Sequence, residues 1–492
     1  MTGEEEPRRS DERRIARWLA LVAWLAYLPF AHGHFTGTDE TGVYLTTRAL
    51  YERGSLEVSE GPHRYPGRDG RTYAHFAIGL PLLALPLYAA GDAAAHVLPA
   101  SWLAHVNPRP EEPGRIDTLV TPPLFAVSLY PTFATAALVA VFFGLERRLG
   151  ASRRSALAAA ALVGATSYVA TQSVYFLRHS TEAITILASF DALLAYRQHG
   201  RLRDLVLGSA WASLTLLIAV PATVAVAPLV GYAAFRLWPR LAAASPAERV
   251  RLLAAPAAPA ALAIAVHVGL NYWLWGSLLD SPMVAQRSHF SAPFYVGLWG
   301  FLLSPGCSVF VYSPLLLLLP WLLPSFWRAH RAECATVVAM SLALLFFCAS
   351  FEIWPGLWSS PGPRYLFVAM PALLLPLGPW LDERRSVGLR LFTALLAVIG
   401  LGVQLVLVLS RWSEVIRSMR YQEALLASGF DFLFVPQRSP LVGSWRALAA
   451  GNVDAWLWGT LQAGSWGLAL VLLAGWALAL AFAARGLRRA LR

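Results

Sequence analysis

The chain contains no lysine; all 40 of its basic residues are arginine. Charge is scarce altogether, at 14% of residues, yet the formal balance is +11. A nucleic-acid binder would need a soluble basic face, and no stretch supplies one. Cysteine is rare too: Cys307, Cys334 and Cys348 form no CxxC pair, which argues against a disulfide or zinc framework. Cys334 and Cys348 read as small buried apolar residues. No GxxxxGK[ST], HExxH or GxSxG run occurs, so a nucleotide phosphate loop, a zinc-protease helix and a hydrolase elbow are all missing. Any group transfer would draw on an activated donor, not ATP. No internal repeat stands out, which disfavours inverted-repeat transporter designs.

What the chain has in quantity is apolar sequence. Hydrophobic residues make up 57% of its 492 positions, in long runs from end to end. That predicts an all-α polytopic membrane protein, each span taking roughly 20 apolar residues. The 19 Trp and 16 Tyr suit interfacial belts. Arg8, Arg9, Arg13, Arg14 and Arg17 place residues 1–14 inside, and the first apolar run, 15–35, lacks a cleavage pattern and reads as a retained span. Later spans are expected at 119–143, 154–173, 180–197, 203–220, 221–237, 252–274, 308–327, 333–351, 364–381, 389–410 and 465–484, about 12 in all. Arg-rich connections between them, such as Arg147–Arg154, Arg197–Arg203 and Arg384–Arg390, fall inside. The expected organisation is a membrane domain over 15–410 with a large outer loop at 36–118. An outer segment at 411–464 forms a small helical cap, and 465–492 supplies the last span and a cytoplasmic tail. Within the outer loop, Thr41–Arg53 predicts a surface helix and Glu60–Arg71 a loop. The apolar stretch 73–99, interrupted by Gly79, Pro81 and Pro86, predicts an interfacial or re-entrant pair of helices.

Charged groups near a bilayer are costly and tend to be functional. On the outer side they gather in a few places. Asp39 and Glu40 follow the first span, in Phe35-Thr-Gly-Thr-Asp-Glu-Thr-Gly-Val-Tyr44. Arg178, His179 and Glu182 stand at a span boundary; Asp280, Arg287 and His289 share a loop; Glu352 and Arg364 bracket a Trp-, Gly- and Pro-rich stretch. A transferase using a lipid-phosphate sugar must grip a phosphate and take a proton from an acceptor hydroxyl. Arginine suits the first task and a carboxylate the second. Each residue also has a plainer reading: a wet loop and helix cap for Asp39–Glu40, a span anchor for Arg364, a headgroup contact for Arg178, a satisfied bundle residue for His179, and belt positions for the tryptophans.

The motif Thr38-Asp39-Glu40-Thr41, directly after span one, resembles the opening of the first outer loop in the C-type (GT-C) glycosyltransferases. The stretches Gly300-Phe-Leu-Leu-Ser-Pro-Gly-Cys-Ser-Val-Phe-Val-Tyr-Ser-Pro314 and Trp354 through Gly362-Pro-Arg-Tyr365 are similar to a bacterial subgroup related to protein O-mannosyltransferases and the lipid A aminoarabinose transferase. Cys307 stands where that subgroup has Arg, and Pro355-Gly356 where it has Gly-Gly. The resemblance implies a multi-pass protein of a bacterial plasma membrane, its site facing outward, that moves a sugar from a polyprenyl-phosphate donor to a glycan, lipid or protein acceptor. It implies Asp39 as base with Glu40 beside it, and Arg364, His179 and Arg178 at the donor phosphate. Tyr44, Tyr365, Trp354, Trp358, Ser304 and Tyr312 would line the substrate site. Some members need a divalent metal, Mg or Mn, at the outer carboxylates and others do not; Asp39 and Glu40 are the ligands if one binds. A lipid-linked saccharide flippase, which would want charges deep in its spans (Asp191 and His267 are the main ones), and a non-catalytic membrane scaffold are the alternatives.

Overall fold

The computed structural model describes residues 5–98, 120–282, 290, 292–357, 359–383, 385–420, 430–462 and 464–492. Trp358, Arg287, His289 and Arg384 lie outside them, as do 99–119 of the outer loop and 421–429 of the outer segment. The described chain is helical apart from one two-stranded hairpin. Seven of its helices are long and apolar enough to cross a membrane. It is an all-α membrane protein.

Broken apolar runs account for part of the difference from the expected spans; the helices His179–His199 and Leu202–Ile218 are continuous but fall outside the seven. The run at 364–381 divides into Arg364–Leu366, Ala369–Leu373 and Leu377–Asp382. Pro363 stands just before it and Pro371 and Pro376 lie within it, and proline removes a backbone donor and clashes with the preceding turn. Leu374, Leu375 and Leu377 there are fully buried. Irregular backbone at membrane depth is tolerated where protein, not lipid, surrounds it. The run at 308–327 is likewise divided, into Val309–Tyr312, Pro314–Leu318 and Leu319–Ala329.

The first helix, α1 (Glu5–Tyr27), ends earlier than the expected span. Leu28–Phe30 tightens into a 3₁₀ turn around Pro29, and residues from Ala31 onward run irregularly into the interior, with His32, His34 and Phe35 almost fully buried. Helix α2 (Thr38–Arg53) follows, capped by Gly37 and closed by Gly54 in the left-handed region. The structure buries Val43, Tyr44, Leu45 and Ala49 on one side and leaves the Arg48–Glu52 pair (3.1 Å) at the surface. Helix α3 (Gly79–Val97) is one continuous helix, which corrects the expected pair. Pro81 sits in its first turn, where the missing N–H costs nothing, and only Pro86 interrupts its interior. The α2 and α3 helices pack through Tyr44 and Tyr88, and the Tyr88 hydroxyl donates to Glu52 at 2.7 Å.

Between α2 and α3 lies a second correction. The expected loop Glu60–Arg71 holds strand β1 (Arg64–Pro66), paired antiparallel with β2 (Thr72–Ala74), with Arg64 opposite Ala74. The turn between them, Gly67-Arg-Asp-Gly70, bends at Gly70, whose φ is +78°. An Asp-Gly pair between alternating residues is a hairpin signal. Continuing the register by one residue brings His63 and His75 together, their rings 5.1 Å apart.

Arginines expected on the inner side tie separate helices together: Arg148 to Asp191 at 2.6 Å, and both Arg197 and Arg236 to Glu333 at 2.7 Å. Close packing also governs the helix Val387–Leu409. A Cβ on Gly400 would strike the Thr166 carbonyl oxygen, whereas one on Gly402 would meet nothing within 4 Å. Gly400→Val is therefore expected to cost about 1–3 kcal/mol of stability by overpacking. Thermal unfolding in detergent, with Gly402→Val as the unaffected control, checks this.

Candidate functional site

The site begins with a carboxylate that points inward. Glu40, 1% exposed, accepts through Oε2 from the Thr36 N–H (2.6 Å), the Gly37 N–H (2.8 Å) and the Thr36 hydroxyl (2.9 Å). Its Oε1 accepts from the Phe176 N–H at 2.6 Å. Burial pushes its pKa up to about 7, and these four donors pull against that shift. Glu40 thus clasps two backbone segments through three N–H groups and fixes where α2 starts.

With Glu40 turned in, Asp39 turns out and stays partly exposed. Its Oδ2 lies 3.1 Å from Arg364 Nη1 and accepts from the Ser359 hydroxyl at 3.0 Å; its Oδ1 lies 3.4 Å from His63 Nε2. Burial alone would raise the Asp39 pKa. Arg364 first, then His63 and Arg178, outweigh it and hold the carboxyl well below the usual carboxylate range.

Arg364 is delivered by the stretch from Trp354 to Tyr365. Two glycines shape this loop. Gly356 (φ +63°) lies under the guanidinium, where a Cβ would come within 2.8 Å of Arg364 Nε. Gly362 (φ +85°) leaves room for the Tyr312 and Tyr168 rings, at 2.6 and 2.9 Å from its would-be Cβ. The guanidinium is 5% exposed, lies 5.1 Å from the Tyr365 ring centroid and donates to the Tyr365 hydroxyl at 3.4 Å. Its Nε makes no hydrogen bond among the described residues. A buried guanidinium with spare donor capacity suits an anionic ligand.

Beside Asp39 opens a cavity of about 310 Å³. Asp39, His75 and Arg178 form its polar end. Ile218, Val268, Leu274 and Trp275, from the helices Leu202–Ile218 and Pro246–Trp275, make the rest apolar, with His267 and Asn271 the polar exceptions on the second helix. One end can take charge and the other hydrocarbon.

No protein-family model matches the sequence, and no curated protein matches it. Among solved structures the chain is similar to ArnT from Cupriavidus metallidurans bound to undecaprenyl phosphate. That match has 15% identity, covers 87% of this chain and 75% of that one, and has a TM-score of 0.47. The apo form of ArnT matches at 14% identity over 89% and 76%, with a TM-score of 0.48. Archaeal oligosaccharyltransferase AglB from Archaeoglobus fulgidus, in complex with an inhibitory peptide and a dolichol-phosphate, matches at 12% identity over 87% of this chain and 60% of that one, with a TM-score of 0.46. These are distant likenesses, so the chemistry has to come from this chain's own side chains.

Of the residues singled out in the sequence, the fold brings Asp39, Arg364, Tyr365 and Arg178 to one place. His179 is held back: its Nδ1 lies 3.1 Å from Glu182 Oε2, its ring 6.3 Å from that of Tyr365. Arg178 binds the other Glu182 oxygen at 2.6 Å. Tyr44 packs between Phe35 and Tyr88, and Trp354 is buried edge-on against Phe301. Tyr312 is buried and donates to the Gly306 carbonyl; Ser304 is buried, donates to the Gly300 carbonyl and accepts from the Cys307 N–H. Cys307 is fully buried under Pro355, with its thiol 3.9 Å from that carbonyl. Ser359, His63 and His75 were not among the expected residues. The hairpin places both histidines, and its Asp-Gly turn is the only local signal for them. His63 sits at φ +57°, in the left-handed region that His adopts more readily than most residues other than Gly. Burial, then the His63 charge, pushes His75 down to about 4, so it is neutral at pH 7.

The pair Asp39–Glu40 does not fit a divalent cation. A hard ion needs oxygen lone pairs from several ligands. Glu40 is surrounded by N–H and O–H donors, and Asp39 faces a guanidinium, a donating hydroxyl and an imidazole.

The Glu40 clasp carries its own test. Glu40→Ala orphans three buried backbone donors and is expected to lower stability by at least about 2 kcal/mol. Arg53→Ala, exposed in the last turn of the same helix, should cost clearly less. Paired thermal-unfolding measurements in detergent would show the order.

Proposed function

We propose that the protein is a membrane glycosyltransferase that moves a sugar from a polyprenyl-phosphate donor to an acceptor hydroxyl, with inversion, at the outer face of a bacterial plasma membrane. The observation that carries this reading is the cavity beside Asp39. It pairs a carboxylate and the Arg178 guanidinium with a long apolar wall, as an amphiphile with an anionic head requires. Arg364, paired with Asp39 and keeping an unused Nε donor, supplies a second cation at the same end.

The phosphate of the donor is drawn to Arg178 and Arg364, with the prenyl chain along the helix Pro246–Trp275. The acceptor hydroxyl attacks the anomeric carbon from the face opposite the phosphate. Its proton passes to Asp39 as the new C–O bond forms. The old C–O bond breaks with its electron pair going to the polyprenyl phosphate, whose charge the two guanidiniums counter.

The ion pair makes Asp39 a weak base in the free protein. Phosphate binding at Arg364 would neutralise the cation that depresses it and add negative charge nearby, so its basicity rises when the donor is in place. This order gives a pH signature. In the free protein Asp39 stays ionised to low pH, so the acid limb of kcat/KM lies low; the acid limb of kcat should lie at higher pH.

Asp39→Asn should reduce transfer roughly 100- to 10,000-fold while the protein still folds. Assay in nanodiscs with defined polyprenyl-phosphate sugars reads both effects. Full activity in a correctly folded Asp39→Asn protein would sink this role. Asp191, one of the charges a flippase would place mid-membrane, is taken up by Arg148.

A further inference from the structure

A second cluster of chemistry-bearing groups lies upstream of Asp39, where the chain leaves the first helix. His32, His34 and Asp454 come together there, 1%, 4% and 1% exposed. Three segments meet at this point. The Asp454 N–H donates to the Leu409 carbonyl at 2.7 Å, Ser410 pairs with Val453 in an isolated β-bridge, and the Trp456 N–H donates to the Ala31 carbonyl at 2.9 Å.

Hydrogen bonding fixes which nitrogen of each ring faces inward. His34 Nδ1 lies 2.8 Å from the Phe35 carbonyl oxygen and His32 Nε2 lies 3.1 Å from the Val408 carbonyl oxygen. A carbonyl only accepts, so both of these nitrogens carry hydrogen. The opposite nitrogens then aim at the same carboxylate: His34 Nε2 is 3.0 Å from Asp454 Oδ1, and His32 Nδ1 is 4.0 Å from Oδ2. In neutral imidazoles those are the lone-pair positions. Two imidazole nitrogens and a carboxylate so placed make a donor set for a cation. An imidazole whose outer N–H is tied to a backbone carbonyl is the usual arrangement of a metal-bound histidine.

The spacing agrees with a metal. Nitrogen and oxygen ligands at about 2.0–2.1 Å in tetrahedral geometry stand about 3.3 Å apart. The two nitrogens stand 3.0 and 4.0 Å from Asp454 oxygens, either side of that value, and all three donor atoms lie within 4.8 Å of one another, so a small inward shift of the side chains would close them on an ion. Two nitrogens and one oxygen favour a borderline transition ion over Mg or Ca, which prefer all-oxygen shells. Tyr175 stands edge-on to His32, their ring centroids 5.1 Å apart, and water would complete a four-coordinate ion.

We propose that His32, His34 and Asp454 form a structural zinc site that staples the exit of the first helix to the outer segment. Its three residues are buried and distinct from Asp39 and Glu40, and it does not depend on the transferase reading. Its work is positional: it anchors the backbone that enters α2 four residues later.

Metal content and cobalt spectroscopy test this without an activity assay. Protein purified in detergent should carry about one zinc per chain. Removing it with a chelator should lower the melting temperature by about 5 °C or more, with recovery on adding Zn²⁺ and not Mg²⁺. Co²⁺ in its place should give the visible absorption of a tetrahedral site, lost in Asp454→Asn and His34→Ala. The proposal is overturned if the wild-type protein holds no zinc and gives no such cobalt band. It is equally overturned if both variants keep full zinc content. In either case the cluster is a buried imidazolium–carboxylate contact. The cobalt measurement on wild-type protein decides the matter even if the variants fail to fold.

Discussion

A single carboxylate, that of Glu40, sets the frame in which the rest of the site is built. It gathers N–H groups from Thr36, Gly37 and Phe176, and so joins the entry to α2 with the segment leading into the helix His179–His199. Buried backbone donors must be satisfied, and here one side chain satisfies three of them. Neighbouring residues at a helix start point about 100° apart around the axis; with Glu40 held inward, Asp39 lies on the partly exposed side. The two adjacent acids therefore have opposite tasks: one is locked by donors from its own backbone, the other is open to the cavity and to cations.

Electrostatics then decides what Asp39 can do. Arg364, placed by a loop that closes over two positive-φ glycines, brings a buried positive charge against it. A charge so deep in an apolar bundle is costly unless paired. On the proposed reading, an anionic headgroup entering the neighbouring cavity would compete with Asp39 for the guanidinium. The apolar wall of the same cavity gives a lipid-linked anion a reason to be there.

Much of the architecture was legible along the chain. Apolar runs of span length, Arg-rich connections and the acidic pair after the first run are local signals, and they led to an all-α membrane protein with Asp39 and Arg364 among its candidate residues. Other features were hidden because they depend on partners distant in sequence. Proline-broken segments at 308–327 and 364–381 look like spans to hydropathy, yet they are divided and partly sequestered, a state that only surrounding helices permit. His63 and His75 flank a short hairpin that composition alone reads as loop. His34 and Asp454 are 420 positions apart, and nothing near either one announces the other.

By itself, then, the sequence determined the solvent. Its hydropathy and its arginine pattern commit most of the chain to lipid and to helices, since backbone polar groups have no other escape in a bilayer. It also determined the kinds of group at the aqueous boundary: two acids, a few arginines and histidines, no nucleotide loop. Tertiary structure alone decided how those groups are divided. Which acid caps a helix and which faces the cavity, which arginine neutralises it, and which histidines converge on Asp454 are matters of direction and distance. They are fixed when helices far apart in the chain pack and bury one another's polar groups.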